Sequence, residues 1–491
     1  MTRRILLFLF LAVHLSIGYA RQTPTQSIAH SNSRPNVLFI TIDDMNDWIS
    51  LFDPANPIRT PNLEKLAKRG VFFSRAYASS PSCNPSRASF LTGTRPHKTG
   101  IYGNKSDWRA ALPKAETIQQ YFMKNGYYSA GAGKIFHHHW DGAFHDNASF
   151  DDFQPMPDIY PDAPMPTKKL NGLEWWGTKN SDWGAWPLKA QDAVDYKTAS
   201  YAESFLSKTH DRPFFLSIGI FRPHMPFFSP AENIAQYQKT AGPVMPAVKK
   251  DDWNDLPSGA TKLMEENKWF WQGIEKAMTE DPKTWQTMVT GYQAAATFAD
   301  QQIGRVLDAL EKSPYQNKTI IVLLSDHGYH LGEKQHLEKF ALWEKTTHIP
   351  FIWVAPGQIA AGTTIDKPVD LTSVYPTLID LCRLQKKNDL DGLSLMPLFK
   401  NPKADFPPAL MTYMKGNHAI RTERWRYIQY EDGTEELYDH SGDRNEWTNL
   451  AGKKELQQIK QGLKKYIPKE SAEPVKDMIR PKNTSNKVAK P

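Results

Sequence analysis

Short runs of apolar residues, each bounded by turn-forming residues, recur along the chain. They predict strands at 36–42, 71–78, 213–220, 319–325 and 350–355. Runs of this length without polar alternation are typical of strands that are buried on both faces of a parallel sheet.

Helical patterns lie between these runs. Residues 60–70 begin with Thr60 as a cap and Pro61 at the first helical position, and they end at Gly70. A later helix carries one apolar stripe, formed by Phe298, Ile303, Val306, Leu307 and Leu310. The alternation of strands and helices predicts an α/β sandwich with a large central, mostly parallel sheet.

This alternation changes in two places. Residues 141–200 are rich in Pro, Asp and Trp and predict a long insertion, a kind of segment that is often functional. After residue 402, short polar-apolar alternation predicts a small antiparallel sheet and a final helix. We therefore expect a main domain over 35–402, a C-terminal subdomain over 403–468 and a basic, mobile tail over 469–491.

The first twenty residues have the pattern of a secretory signal peptide. Arg3 and Arg4 precede an apolar segment that ends at Ile17, and Ala20 is suited to cleavage. This segment is too short to remain as a membrane span. With 1–20 as the signal and the polar residues 21–34 as a linker, we expect an exported protein, periplasmic or secreted, without a membrane span.

The charge of the chain gives little reason to expect a nucleic-acid partner. The formal net charge is +7, but residues 451–491 alone contain eleven Lys or Arg against four Asp or Glu. A basic C-terminal end of this kind is usually solvated. The positive charge therefore says little about the substrate.

Cysteine is rare, and its two positions differ in character. Cys382 lies on the apolar face of a predicted helix, whereas Cys83 lies in the polar stretch SPSCNPSRASFLTG. Cys83 is followed by a short helix that begins near Pro85 and ends at Gly93, and a helix N-terminus favours an anion. Position 83 therefore suits a nucleophile that attacks a sulfate or a phosphate. A thiol buried beneath a loop, or a bridge between Cys83 and Cys382, remains the alternative.

Two of the predicted strands end in metal-ligating residues. Asp43 and Asp44 follow the strand at 36–42, and Asp326 and His327 follow the strand at 319–325. The carboxyl ends of parallel strands meet at one edge of a sheet, so these side chains can converge. Three carboxylates at one point repel unless a cation lies between them. Oxygen ligands point to Ca²⁺ or Mg²⁺, and the histidine leaves Zn²⁺ or Mn²⁺ open.

Two motifs resemble the signatures of the sulfatase family. Residues 83–87 match its Cys-x-Pro-Ser-Arg signature and are followed by Leu-Thr-Gly at 91–93, and residues 126–137 match its second signature. The resemblance extends from residue 36 to residue 450. It is greatest to iduronate 2-sulfatases and their bacterial relatives, because of the Asp-His pair at 326–327 and the segment FRPHMPF at 221–227.

This resemblance implies an alkaline-phosphatase-like fold and a modified nucleophile. In the family, an enzyme that generates formylglycine oxidises the signature cysteine, here Cys83, to Cα-formylglycine (3-oxoalanine). The hydrated aldehyde then supplies a hydroxyl nucleophile. One Ca²⁺ would be held by the modified residue 83 together with Asp43, Asp44, Asp326 and His327.

The resemblance also assigns roles to five further residues. Arg87 and Lys134 would stabilise the deprotonated diol, and His137 would orient it or take the proton that frees sulfate. His224 and Lys339 match positions that grip the sulfate and assist the leaving oxygen. A packed loop histidine at 224 and a solvated helix lysine at 339 are the alternatives.

The function that follows is hydrolysis of a sulfate ester on a carbohydrate, in particular on a sulfated uronic acid unit of an oligo- or polysaccharide. A phosphatase or phosphodiesterase of the same superfold is the first alternative, although a second set of His and Asp ligands is missing. The second alternative is an inactive carbohydrate-binding protein. Sugar-stacking candidates in the insertion are Trp175, Trp176, Trp183 and Trp186. His138 and His139 match no role.

Overall fold

Strands account for the central and the C-terminal parts of the structure. In chain order they are β1 (Asn36–Asp43), β2 (Val71–Phe73), β3 (Ala76–Tyr77), β4 (Tyr128–Gly133), β5 (Asp152–Gln154), β6 (Trp183–Ala185), β7 (Phe214–Pro223), β8 (Phe227–Ser229), β9 (Thr319–Ser325), β10 (His330–Leu331), β11 (Leu337–Glu338), β12 (His348–Ile349), β13 (Phe351–Val354), β14 (Thr363–Ile365), β15 (Val369–Asp370), β16 (Ala409–Thr412), β17 (His418–Arg421), β18 (Trp425–Gln429) and β19 (Glu435–Asp439).

Helices connect these strands. In chain order they are α1 (Pro61–Lys68), α2 (Cys83–Thr92), α3 (Pro96–Thr99), α4 (Trp108–Ala111), α5 (Ile118–Lys124), α6 (Val194–Leu206), α7 (Ala231–Gln238), α8 (Ser258–Glu265), α9 (Lys268–Glu280), α10 (Thr284–Lys312), α11 (Glu344–Thr347), α12 (Val374–Leu381), α13 (Met396–Lys400) and α14 (Gln457–Lys464).

These elements come from a computed structural model of the chain. It describes residues 34–137, 145–156, 165–187, 189–238 and 243–478. The predicted signal peptide at 1–20 and all but the last residue of the linker at 21–34 lie outside the described residues. Within those residues, we find no helix that is long and apolar enough to cross a membrane.

The central sheet has eight strands in the order β14-β2-β13-β9-β1-β7-β4-β5. β1 pairs in parallel with β7 and β9, and β4 pairs in parallel with β5 and β7. The mostly parallel sheet is therefore confirmed. β13 differs, since it runs antiparallel to both β9 and β2. The segment between β9 and β13 stays at the carboxyl edge of the sheet, so the chain re-enters the sheet from that edge.

The two faces of the central sheet pack against different helices. β1 is buried at every position, and its side chains alternate between the faces. Leu38 and Ile40 pack in one cluster with Ile303 of α10. Phe39 packs in a second cluster with Phe90 of α2. This two-sided burial explains the continuous apolar runs and gives the predicted sandwich.

Local differences from the predicted elements have identifiable causes. The run at 71–78 is split into β2 and β3, which lie in different sheets, because the chain turns at Ser74 and Arg75. α1 begins at Pro61 as predicted, but the Thr60 side chain does not cap it. Instead the Thr60 hydroxyl lies 3.3 Å from the Ser50 hydroxyl.

The C-terminal part contains the predicted antiparallel sheet and final helix. β16, β17, β18 and β19 pair in sequence, and α14 follows them. The expected boundary near residue 402 lies between α13 and β16, within the single unit that the described residues from 34 onward form.

The expected mobile tail differs in its first part. The backbone N–H groups of Ala472 and Val475 donate to the carbonyls of His97 and Gly100, at 2.7 Å and 2.9 Å. Backbone hydrogen bonds therefore hold residues 472–478 against the main domain, although their polar composition predicts a mobile segment. Residues 479–491 lie outside the described residues.

Candidate active site

The ends of β1 and β9 bring the predicted acidic residues together. Ile42 of β1 is the register partner of Ser325 of β9, so the residues that follow these positions leave the sheet at the same edge. The Asp44 backbone N–H donates to Asp326 Oδ1 at 3.2 Å. Asp44 adopts a φ of 65°, a left-handed conformation that turns the chain sharply at the end of β1.

Cys83 lies at this edge as the first residue of α2. Its Sγ is 3.2 Å from His327 Nε2 and 3.1 Å from Lys339 Nζ. The start of α2 is held by Asn104, whose Oδ1 accepts hydrogen bonds from the Ser82 hydroxyl at 2.8 Å and the Asn84 N–H at 3.0 Å. Sequence reasoning missed Asn104, because it follows the motif by about twenty residues with no local pattern.

The side chains around Cys83 have the composition of a metal site. Asp43, Cys83, Asp326 and His327 each offer a ligand atom, and these atoms all lie within 4.8 Å of one another. Asp44 adds a buried Oδ2 that accepts no hydrogen bond within the described residues. A divalent cation fits this donor set, because it would neutralise the carboxylates and satisfy the unpaired oxygen.

Arg87 links the strand ends beneath this cluster. Its Nε donates to Asp326 at 2.8 Å, and its Nη2 donates to Asp43 at 3.1 Å. Its Nη1 donates to the backbone carbonyls of Lys134 and Ile135 at 2.7 Å and 3.0 Å. The planar guanidinium carries five N–H donors and can make all these hydrogen bonds at once, which a lysine ammonium cannot. Arg87 thus holds three neighbouring segments in register.

Lys134 reaches the cluster because two strands approach closely. Its ammonium pairs with the Asp43 carboxylate, and its backbone N–H donates to the Gly219 carbonyl at 3.1 Å. A Cβ on Gly219 would lie 2.2 Å from the Lys134 carbonyl oxygen, and one on Gly133 would lie 2.0 Å from the Gly219 carbonyl oxygen. Only glycine fits at both positions.

The charges around position 83 favour an anion there. Burial opposes ionisation of the Cys83 thiol, but Lys134, Lys339 and His327 outweigh it and hold its pKa well below the ordinary value. Burial also opposes ionisation of Asp43, and Lys134 is the strongest of the cations that nevertheless hold its pKa below the usual range. The same three cations would stabilise an oxyanion in place of the sulfur.

The histidine of the second motif lies beside the thiol. The buried imidazole of His137 interacts with Cys83, and burial lowers its pKa to about 4. A neutral imidazole in this position can accept a proton. His138 and His139 lie outside the described residues.

His224 approaches the cluster from β7. Its Nε2 is 3.9 Å from Asp44 Oδ2, and its side chain is 23% exposed. Asp195 holds the preceding backbone, since its carboxylate accepts the N–H groups of Phe221 at 2.6 Å and Arg222 at 2.9 Å. Sequence reasoning missed Asp195, because it lies on α6 in the insertion and contacts this segment only in the fold.

Lys339 is buried rather than solvated. It is 4% exposed, and its Nζ donates to Asp44 Oδ1 at 2.8 Å. All ten predicted site residues therefore lie around one point at the carboxyl edge of the sheet.

Two models of known protein families match the chain. A family model described as Sulfatase matches residues 35–384, and one described as N-sulphoglucosamine sulphohydrolase, C-terminal, matches residues 332–473. The chain belongs to the sulfatase family.

Individual sulfatases match over most of their length. The chain is 37% identical to a sulfatase of Formosa agariphila, over 94% of this chain and 92% of the relative. It is 30% identical to iduronate 2-sulfatase of Homo sapiens, over 78% and 75% of the two chains. A solved structure in complex with its substrate D-glucosamine-2-N,6-O-disulfate has a TM-score of 0.68 at 22% identity, covering 88% of this chain and 96% of that chain. The fold is thus that of the sulfatases, as expected.

The tryptophans of the insertion differ from the sugar-stacking prediction. Trp176, Trp183 and Trp186 of this sulfatase are 2%, 3% and 5% exposed. The Trp183 indole N–H donates to Thr287 Oγ1 at 2.9 Å, which ties the insertion to α10. These three rings pack in the protein and cannot stack on a sugar. Only Trp175 of the four is exposed.

The two cysteines do not form a disulfide. Cys83 and Cys382 are both buried and free. Cys382 packs among apolar side chains beyond α12, as its sequence pattern predicts. The bridge that was open from sequence is therefore absent from the structure.

Proposed function

We propose that this sulfatase hydrolyses a sulfate ester on a carbohydrate, specifically on a sulfated uronic acid unit of an oligo- or polysaccharide. One observation supports this most: the cysteine of the sulfatase signature lies between three cations and three carboxylates at one sheet edge. The similarity to iduronate 2-sulfatases supports a uronic acid unit.

The proposal includes modification of Cys83 to formylglycine by a formylglycine-generating enzyme, so that a hydroxyl replaces the sulfur as nucleophile. It also includes one Ca²⁺ held by Asp43, Asp44, Asp326 and His327 with residue 83. Bound there, the ion would polarise a sulfate oxygen. The donor set and the unpaired Asp44 Oδ2 support a cation.

The surrounding side chains have complementary tasks. Lys134 and Arg87 stabilise negative charge at position 83, since both carry buried positive charge at this edge. His137 accepts a proton from the residue-83 hydroxyl. Lys339 and His224 bind the sulfate oxygens, and their cationic and N–H groups offset charge as the ester oxygen leaves.

Export completes the proposal. The pattern of residues 1–20 supports a signal peptide, and a periplasmic or secreted enzyme would meet extracellular polysaccharides. No nucleic acid is required as a partner.

The test measures sulfate release from a panel of sulfated disaccharides, with and without sulfate at a uronic acid. A phosphodiester and an aryl phosphate serve as substrates for the alternative function. We expect release from the uronate-sulfated members by the mature protein and none by Cys83→Ala. Cleavage of the phosphorus esters with no sulfate release from any sugar would assign the protein to the phosphatase alternative instead.

A further inference from the structure

Two exposed tryptophans lie on the loop and the helix that enclose the buried Trp176. Trp175 is 47% exposed and Trp269 is 42% exposed, and among the tryptophans that the structure describes only these two are classed as exposed. The loop that carries Trp175 reaches Trp269, since a Cβ on Gly177 would lie 3.8 Å from the Trp269 ring. Large exposed aromatic side chains that cluster in this way mark binding surfaces.

Each ring is supported by a neighbouring side chain. The Lys276 ammonium lies 4.4 Å from the centre of the Trp175 ring, and the Trp269 ring stacks on Phe270 at 3.7 Å between centroids. We call Trp175, Trp269 and Lys276 the aromatic platform. Because its rings are already held in place, binding a ligand there costs little side-chain entropy.

The base of the aromatic platform is tightly packed. A Cβ on Gly273 of α9 would lie 2.0 Å from Trp176 Nε1, so the glycine admits this buried ring against the helix. Trp176 in turn packs edge-on against Phe270 at 5.9 Å. Buried Trp176 and exposed Trp269 therefore both pack against Phe270, which fixes the base of the aromatic platform.

Helix α9 carries two residues of the aromatic platform on one face. Trp269 and Lys276 are seven residues apart and lie on the same helix face, about 10 Å apart along the axis. The opposite face, with Trp271 and Ile274, is buried and packs against β11. The residue that follows β11 is Lys339, which contacts Cys83. The buried face of α9 is thus directed toward β11, and Trp269 and Lys276 of the aromatic platform lie on the exposed face of the same helix.

We infer that the aromatic platform binds the chain of a sulfated polysaccharide at a second point outside the catalytic cluster, an inference that rests on the proposed function. Indole rings pack on the apolar faces of pyranose sugars. Lys276 supplies an ammonium for a sulfate or carboxylate group, and Lys179 is a second exposed cation on the same loop as Trp175. Attachment at a second point raises the effective concentration of sulfate esters at the catalytic residues.

Carboxylates flank these cations. Glu174 and Glu275 are both exposed, next in sequence to Trp175 and Lys276. The surface is therefore not a uniformly basic patch that would attract any polyanion. Binding depends on the aromatic rings together with the lysine, which distinguishes a sugar chain from an unspecific anion.

The test is affinity electrophoresis of the mature protein in gels that contain heparin, chondroitin sulfate or unsulfated dextran. We expect Trp175→Ala and Trp269→Ala each to weaken binding to a sulfated polymer about tenfold, the loss expected for one buried aromatic ring. Lys276→Ala weakens binding to the sulfated polymers and leaves any binding to dextran the same. Tyr466→Ala is the matched control, because Tyr466 is an aromatic residue that is 50% exposed elsewhere.

Unchanged binding in both tryptophan variants would overturn the inference. So would loss of a dimer in either variant, measured by light scattering, because the platform would then be an interface between copies. Sulfate release from disaccharides is measured separately. Its absence in the wild-type protein would defeat the proposed function, whereas normal release with unaltered polymer binding in the variants would defeat the aromatic platform alone.

Discussion

Neutralising Asp43 tests both the ion pairs and the metal site. Its carboxylate lies between the Lys134 ammonium and the Arg87 guanidinium, 3.1 Å from Nη2, and all three side chains are at most 1% exposed. Removing one partner of a buried pair costs about 3–5 kcal/mol, because the other charge stays buried. For 491 residues, an unfolding entropy of about 2.1 cal/mol/K per residue gives about 1 kcal/mol/K, so the melting temperature of the chelated Asp43→Asn protein falls by about 3–5 °C.

The assay is calorimetry in a chelator and then in Ca²⁺. A ligand at about 100 times its Kd stabilises the native state by about 2.7 kcal/mol, which raises the wild-type melting temperature by about 3 °C on the same scale. The variant loses most of this rise, since it has one carboxylate ligand fewer, and it loses sulfatase activity.

A matched control and two refuting outcomes complete the experiment. Asp308→Asn removes a pair in which the carboxylate is 56% exposed and 3.6 Å from Lys65 Nζ, and we expect no measurable change in melting temperature. If Asp43→Asn and the wild type have the same melting temperature in the chelator, the reasoning from buried ion pairs is wrong. If Ca²⁺ raises both melting temperatures equally, Asp43 is not a ligand.

Three further predictions concern the nucleophile and its neighbours. A tryptic peptide that spans Cys83, from a host able to modify it, weighs less than the thiol form by the change from thiol to aldehyde; active enzyme with only free thiol there would refute the mechanism. Gly219→Ala forces a Cβ to within 2.2 Å of the Lys134 carbonyl oxygen, so we expect a loss of about 1–3 kcal/mol in the free energy of unfolding and weaker activity. Asp195→Asn leaves a buried N–H before His224 without its acceptor, which raises the KM for sulfate esters about tenfold; an unchanged KM would show that Asp195 does not position His224.

Sequence reasoning was most successful where a few neighbouring residues decide the outcome. The run at 319–325 has the bounds of β9, and the start of α1 at Pro61 was also predicted. The residues after the two strand ends converge because parallel strands share an edge, a rule that needs no knowledge of side-chain packing. Both sulfatase signatures are likewise contiguous, so the family could be recognised before the fold was known.

Reasoning from position alone failed where burial depends on distant residues. Asp43 stands at a strand end where the sequence shows no apolar pattern, yet the structure buries it completely among cations. The tryptophans show the same effect. Their clustering predicts sugar stacking, but α9 and α10 cover three of them and leave Trp175 exposed beside Trp269, a residue almost a hundred positions later.

The sequence by itself therefore determined the strands, the family and the residues at the strand ends, because each depends on short-range periodicity or on a contiguous motif. Only the tertiary structure decided the antiparallel direction of β13, the support of the His224 segment by Asp195 and the close approach of β4 to β7 at Gly219. These features arise from contacts between residues far apart in the chain, whose free energies depend on the whole packed fold and leave no local pattern.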